Sequence, residues 1–283
     1  MTESPIGVFD SGIGGLSVLQ ALQAELPHEH FVYWADSGHA PYGEKGDLFV
    51  RQRSLAIAQH LIEHHHIKAL VVACNTATAA AIHTLRAQYP HLPLIGVEPA
   101  LKPAIALSQT KRIGVIGTKG TLSSEKFHRL LASLQDQADF VVQPCKGLAL
   151  AIEQSTHAQS GTHDADQISA LLGDYTGQMG RFGTAPGEMD TLVLGCTHYV
   201  FAENALRRWL GPDVQLVSTG KPVARQTRRL LEASAQLRSG PAPHAASARM
   251  RLMTNGELGA LQAAALRWLK LPHSACHKAD PHV

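Results

Sequence analysis

Two apolar runs end in a thiol followed by polar residues: VVACNTAT at residues 71–78 and LVLGCTHY at residues 192–199. Each puts a cysteine, Cys74 or Cys196, where a strand pattern gives way to a helix start. A lone cysteine in such a place reads as a small buried hydrophobe. Two in matching settings read differently. A disulfide pair is usually close in sequence or set in a CxxC motif, and acyl transfer needs one thiol and one base rather than two equivalent thiols. Inverting a carbon stereocentre, by contrast, needs a base on one face and an acid on the other. A thiol with an ordinary pKa of about 8.5 serves either role near neutral pH once a neighbour biases it. Asp10 and His198 are the candidate neighbours.

Other polar clusters close apolar runs in the same way: Asp10-Ser11-Gly12, Asp36-Ser37, Asn75-Thr76 after Cys74, Gly117-Thr118, and Thr197-His198 after Cys196. In an open parallel sheet, ligands collect at the carboxyl ends of strands, where helix N-termini offer backbone N–H groups and the positive end of the dipole. Taken singly, each cluster is a helix cap or a turn. Together they outline an anion-binding crevice that holds two thiols.

The elements that must position these groups follow from the alternation of β-branched runs with helical patterns. Strands are expected at IGVF (6), FVYWA (31), ALVVA (69), PLIGV (93), RIGVIG (112), FVVQ (140), TLVLG (191) and VQLV (214). Helices are expected over Leu16 to Leu26, Asp47 to His64, Ala77 to Tyr89, Ser123 to Leu134 and Ala202 to Leu210. This is α/β order with mainly parallel, doubly wound sheets. IGVFDSG at 6 and IGVIGTKG at 113 each read as strand, turn and helix start, and each precedes a strand ending in one of the two cysteines, so a duplicated architecture is expected. STHAQSGTHDAD at 155 and TGQMGRFGTAPGE at 176 read as surface loop around one helix.

Composition narrows the function class. Of 283 residues, 45% are hydrophobic and 17% charged, as in an ordinary globular protein with a sizeable core. A net charge of +2 is too small to point to nucleic acid. No stretch approaches a membrane span, and MTESPIGVFD lacks the pattern of a signal peptide, so a cytoplasmic location is expected. The four cysteines, Cys74, Cys145, Cys196 and Cys276, have neither the number of a disulfide scaffold nor the spacing of a zinc site. His64, His65 and His66 suit a helix C-terminus and do not share a helical face, so no metal is assigned there. Cys276, with His273, His277 and His282, is expected in a mobile polar tail. DSGIGG is only part of a dinucleotide loop, because Ser17 stands at its third glycine position.

DSGIGGLSVL at 10, ADSGHAPYGEK at 35, VVACNTATAAA at 71, GVEPALKPA at 96, IGVIGTKGT at 113 and LVLGCTHY at 192 together resemble the bacterial glutamate racemases, in the family's order and spacing. TNGELGALQAAALRWL at 254 resembles the family's final segment. The chain departs from the common pattern at Val200, where many relatives have proline, and at Gly38 and His39, where many have basic or aliphatic residues. None of these is a proton-transfer group.

The resemblance implies interconversion of L- and D-glutamate without pyridoxal phosphate, metal or other cofactor, supplying D-glutamate for peptidoglycan. It implies that Cys74 takes the α-proton of D-glutamate and Cys196 that of L-glutamate, with Asp10 assisting the first, His198 the second, and Glu153 a further acidic member. By the same resemblance Asp10, Ser11, Tyr42, Gly43, Asn75, Thr76, Thr118, Thr197 and His198 bind the substrate. It further implies a homodimer of two pseudo-symmetric domains, residues 1–97 with 217–283 and residues 98–216, with the site between them. An aspartate or hydantoin racemase, and a non-catalytic amino-acid or nucleotide sensor, are the alternatives. Tyr42-Gly43 favours glutamate, and two retained cysteines weigh against a sensor.

Overall fold

The computed structural model describes residues 2–156, 162–239 and 249–279. Its strands lie in two all-parallel sheets. The first contains β1 (Ile6–Asp10), β2 (Phe31–Ala35), β3 (Ala69–Val72), β4 (Leu94–Gly96), β9 (Met250–Thr254) and β10 (Cys276–Lys278). The second contains β5 (Arg112–Gly117), β6 (Asp139–Pro144), β7 (Thr191–Gly195) and β8 (Gln215–Val217). Their orders are β10-β9-β2-β1-β3-β4 and β6-β5-β7-β8. The run β2-β1-β3-β4 therefore repeats as β6-β5-β7-β8. Cys74 follows β3 and Cys196 follows β7, so the two thiols hold equivalent places in a repeated unit.

Helices pack on both faces of each sheet. Around the first are α1 (Leu16–Glu25), α2 (Asp47–His65), α3 (Asn75–Gln88), α10 (Gly220–Ala233) and α11 (Leu258–Ala264). The second has α4 (Leu101–Leu107), α5 (Lys119–Leu122), α6 (Glu125–Ala132), α7 (Leu148–Gln154), α8 (Thr162–Met179) and α9 (Glu203–Leu210). Because alternate strand residues point to opposite faces, Ile6 and Val8 pack with Leu19 and Leu22 of α1 and Leu231 of α10, while Phe9 packs with Ile57 and Leu61 of α2 and Leu85 of α3. The second sheet divides likewise, Ile116 and Leu194 meeting Ile152 and Leu172, and Val115 and Val193 meeting Leu101 and Phe127. Each such fully buried side chain contributes about 1.5–3 kcal/mol. Burial on both faces is also why these strands read as unbroken apolar runs.

Two strands differ from expectation. β9 and β10 extend the first sheet beyond β2, and Cys276, expected in a mobile tail, is the first residue of β10 and is buried. Three backbone pairs from Cys276–Lys278 to Leu252–Thr254 order this stretch, and its apolar contacts with the first core hold it. His273 lies in a short 3-10 turn before it, His277 is half-buried within it, and His282 lies outside the described residues. Residues 162–166 and 176–179, expected as loop, form the first and last turns of α8, and residues 157–161 lie outside the described residues. His64 and His65 do end α2, with His66 in the left-handed conformation stopping it. No helix among the described residues is long and apolar enough to cross a membrane.

Candidate active site

The turn after β1 wraps its own last side chain. Asp10 Oδ2 accepts the N–H of Gly12 at 3.2 Å and of Gly15 at 2.9 Å. Its other oxygen, Oδ1, is buried with no partner among the described residues. Burial pushes the Asp10 carboxyl up to about 6 from an ordinary 3.8, against the pull of His198 and the two N–H groups. From the neighbouring strand the Tyr33 hydroxyl donates to the Gly12 carbonyl at 2.6 Å, fixing the height of this turn.

Cys74 stands at the N-cap of α3, where its sulfur accepts the Ala77 N–H at 3.4 Å and lies 3.8 Å from the Ser11 hydroxyl. Burial and the nearby Asp10 charge push its thiol well above the ordinary range, so it rests protonated. Asn75 and Thr76 open α3 beside it. The Thr76 hydroxyl is 3.0 Å from that of Thr118 and 3.3 Å from that of Thr121, linking the strand ends of the two sheets.

Cys196 follows β7 in the matching place, but its surroundings differ. Its sulfur is 3.8 Å from His198 Nδ1, and His198 Nε2 is 2.7 Å from Glu153 Oε2. Glu153, on α7, also accepts the Ile13 N–H on Oε2 and the Ser37 hydroxyl on Oε1, each at 2.8 Å. Burial disfavours charge on both groups. For His198 the partners Cys196 and Glu153 outweigh it and raise the ring well above the usual imidazole range. For Glu153 the His198 ring, the Ile13 N–H and the Ser37 hydroxyl hold the carboxyl below its usual value. The pair is therefore an imidazolium and a carboxylate, with Nδ1–H of the ring directed at a sulfur.

One small cavity collects these groups. It is lined by Ser11, Tyr42, Gly43, Cys74, Asn75, Thr76, Thr118, Glu153, Cys196, Thr197 and His198, with Asp10 just behind Gly12. Every residue expected at the site is thus in or against it. Its free volume, about 20 Å³, has room for about one water. A far larger cleft of about 710 Å³, between α8, α9 and Trp268, holds neither thiol. The turn after β1 meets Glu153 and His198 closely here: a Cβ on Gly12 would lie 2.3 Å from Glu153 Oε2, and one on Gly14 2.2 Å from His198 Nδ1. Tyr42 lines the cavity with its hydroxyl committed to Asp36, to which it donates at 2.5 Å.

The sequence model of the Asp/Glu/Hydantoin racemase family matches residues 6–227. The chain belongs to this family. Among relatives, it is 46% identical to the glutamate racemase of Methylococcus capsulatus, over 85% of this chain and 84% of that one. It is 43% identical to that of Ectopseudomonas mendocina over 93% of each. The crystal structure of a glutamate racemase isoform from Bacillus anthracis superposes with a TM-score of 0.83 at 30% identity, covering 99% of both chains. That of the Thermus thermophilus glutamate racemase gives 0.78 at 31%, covering 99% of this chain and 98% of the other.

Sequence reasoning missed two contributors, Thr121 and the backbone of Ile13, and placed Ser37 at the crevice without giving it a role. Ser37 had a signal, since Asp36-Ser37 closes β2 as Asp10-Ser11 closes β1. Ile13 had none, because it contributes only its N–H.

Proposed function

We propose that the protein is a cofactor-independent glutamate racemase in which Cys74 and Cys196 act as base and acid on opposite faces of the α-carbon. The glutamate racemases among its relatives, 43–47% identical over most of the chain, support the substrate. The observation that carries the mechanism is the single cavity lined by both thiols, each with its own ionisable assistant.

Starting from D-glutamate, a Cys74 thiolate removes the α-proton while the Cys196 thiol delivers one to the other face. The reverse direction exchanges the roles. Cys74 rests protonated, so its proton first passes to Asp10, whose elevated carboxyl makes that transfer less uphill. The substrate ammonium finds acceptors in the unpartnered Oδ1 atoms of Asp10 and Asn75. Its carboxylates find the N–H groups and hydroxyls of Ser11, Gly43, Thr76, Thr118 and Thr197. With the carbanion held between two fixed thiols, geometry carries much of the rate enhancement. A cavity of about 20 Å³ does not hold glutamate, so the halves part to admit it. We read residues 1–97 with 217–283 and residues 98–216 as the two bodies that move. A cytoplasmic homodimer supplying D-glutamate to peptidoglycan belongs to the same reading.

The test is incubation with L-glutamate in deuterated buffer without added cofactor, following optical rotation and α-deuterium. Racemisation with solvent deuterium in the product, abolished by Cys74→Ser and by Cys196→Ser, is the expected result. A folded protein that leaves glutamate unexchanged, but racemises aspartate or a hydantoin, would move the assignment elsewhere in the family.

A further inference from the structure

We propose that Ser37 is a positioning residue for Cys196, acting through Glu153 and His198 so that contact between the two halves sets the charge on the thiol's imidazole partner. The inference rests on the reading of Cys196 as an acid/base group.

Glu153 is the centre of the argument. It sits on α7 beside the second sheet, and its carboxylate accepts three hydrogen bonds. One comes from His198, its neighbour in the same half. The others, from Ile13 and Ser37, come from the turns after β1 and β2, in the other half. A buried carboxylate keeps its charge only while donors replace the lost water. Two of the three donors here exist only while the halves are together.

The consequence runs along a chain of hydrogen bonds. With Ser37 and Ile13 in place, Glu153 stays ionised and the shared proton stays on His198, whose other ring nitrogen lies 3.8 Å from Cys196 Sγ. Without the Ser37 hydroxyl, Glu153 Oε1 loses its protein donor and becomes more basic. The proton then shifts from Nε2 toward Oε2, the ring becomes neutral, and a thiolate at Cys196 loses its cationic neighbour. The remaining groups that face the chain are unchanged by this. Asp10 faces Glu153 and His198 and Tyr33 faces Glu153, while Cys74, Cys145 and Tyr199 face Cys196.

Ser37 is free to serve this one purpose. The adjacent Asp36 carboxylate is occupied by Tyr42, Arg53, His39 and Asn255, and Ser37 takes no part in that network. Its side chain is half-buried, so its truncation leaves the cores intact.

The experiment is the pH profile of kcat/KM for L-glutamate in the wild type, Ser37→Ala, Ser37→Thr and Cys196→Ser, with thermal melts to verify folding. A racemase has an equilibrium constant of one, so kcat/KM is equal in the two directions and one direction suffices. In Ser37→Ala the acid limb moves up by about 0.5–1 pH unit. The value at pH 7 falls about 3- to 10-fold for the same reason, and Ser37→Thr restores both to within about 2-fold. A nitrogen-15 titration of the His198 ring, expected to show a lower pKa in Ser37→Ala, gives a readout independent of turnover. A parallel drop at every pH with an unmoved ring titration, no change at all, or a threonine variant that behaves as the alanine one overturns the proposal. Activity surviving in Cys196→Ser, or absent from the wild type, would sink the parent reading and this one with it.

Discussion

The sulfur of Cys74 caps α3 by accepting the backbone N–H of Ala77 at 3.4 Å. A helix of 14 residues thus begins on the atom proposed to move the proton. The helix N-terminus favours negative charge, while burial and Asp10 oppose it. Cys196 makes no such cap and relies on His198 instead. The two thiols are equivalent in topology but biased by different physics.

This cap separates stability from chemistry at one position. Serine at 74 keeps an acceptor for the Ala77 N–H, whereas alanine removes it and should cost about 0.5–2 kcal/mol. Cys74→Ser is therefore expected to melt within about 2 °C of wild type, with Cys74→Ala about 2–4 °C lower. Both should lose at least about 10³-fold in kcat, because neither replacement can exchange a proton near neutral pH. Melting curves beside racemisation assays read the two effects separately. Equal melting of the two variants would remove the cap from the account.

Gly12 tests how closely the halves must approach. A Cβ there would sit 2.3 Å from Glu153 Oε2 and 2.5 Å from Oε1, closer than real Cβ contacts come. Gly12→Ala should force the halves apart and lower kcat/KM about 10²-fold or more, since small displacements of a reacting geometry are costly. Gly46 provides the control. It has nothing within 4 Å of a Cβ, and its φ of −72° suits alanine. Gly46→Ala should leave kcat/KM unchanged, at a stability cost of about 0.5–1 kcal/mol because glycine is the better N-cap of α2. Wild-type kinetics in Gly12→Ala would mean that the tight contact is not needed for turnover.

Asp10 should trade stability for activity. Its pKa is about 6 when folded and near 3.8 when unfolded, so the folded state holds the extra proton between those values. Stability contributed by the neutral form is full below about pH 3.8 and lost as pH rises through 6. At pH 7.5 the ionised group is therefore a burden, and Asp10→Asn should raise stability by about 1–3 kcal/mol. The gain should vanish near pH 3, below both pKa values, where both states are protonated. Denaturant melts at the two pH values read this directly, and racemisation should fall sharply in the same variant. A variant less stable than wild type at pH 7.5 would contradict the assignment of burial as the dominant influence.

Much of the architecture was legible because its strands are buried on both faces. IGVFD and TLVLG show that burial as unbroken apolar runs. β9 was not legible, since MRLMT contains one β-branched residue and two methionines that suit a helix equally well. β10 has three residues, CHK, and becomes a strand only through its pairing with β9. The thiols were legible because the pattern around them repeats. Glu153 was legible only through resemblance, as its partners Ile13 and Ser37 lie 140 and 116 positions away and no local spacing records them.

The Asp36 cluster yields the remaining prediction. Its buried carboxylate accepts Arg53 Nη2 at 2.6 Å, Arg53 Nε at 3.0 Å and the Tyr42 hydroxyl at 2.5 Å, and so anchors the segment that brings Tyr42-Gly43 to the cavity. Burial alone would raise its pKa, but Arg53 and Tyr42 outweigh it and leave the carboxyl below the ordinary 3.8. The depressed value makes the ionised form stabilising, a contribution present above pH 3.8 and lost as pH falls through the folded pKa. Asp36→Asn should therefore destabilise by about 2–4 kcal/mol at pH 7, the lower end applying because Arg53 retains some exposure. The difference from wild type should shrink toward pH 3. The Tyr42-Gly43 segment lines the cavity but neither thiol is anchored by it, so KM should rise more than kcat falls, by about 5- to 20-fold. Urea melts at pH 7 and pH 3.5 with Michaelis kinetics at pH 8 test both halves of the argument. If KM stayed at its wild-type value while stability fell, Asp36 would hold the fold without positioning the substrate.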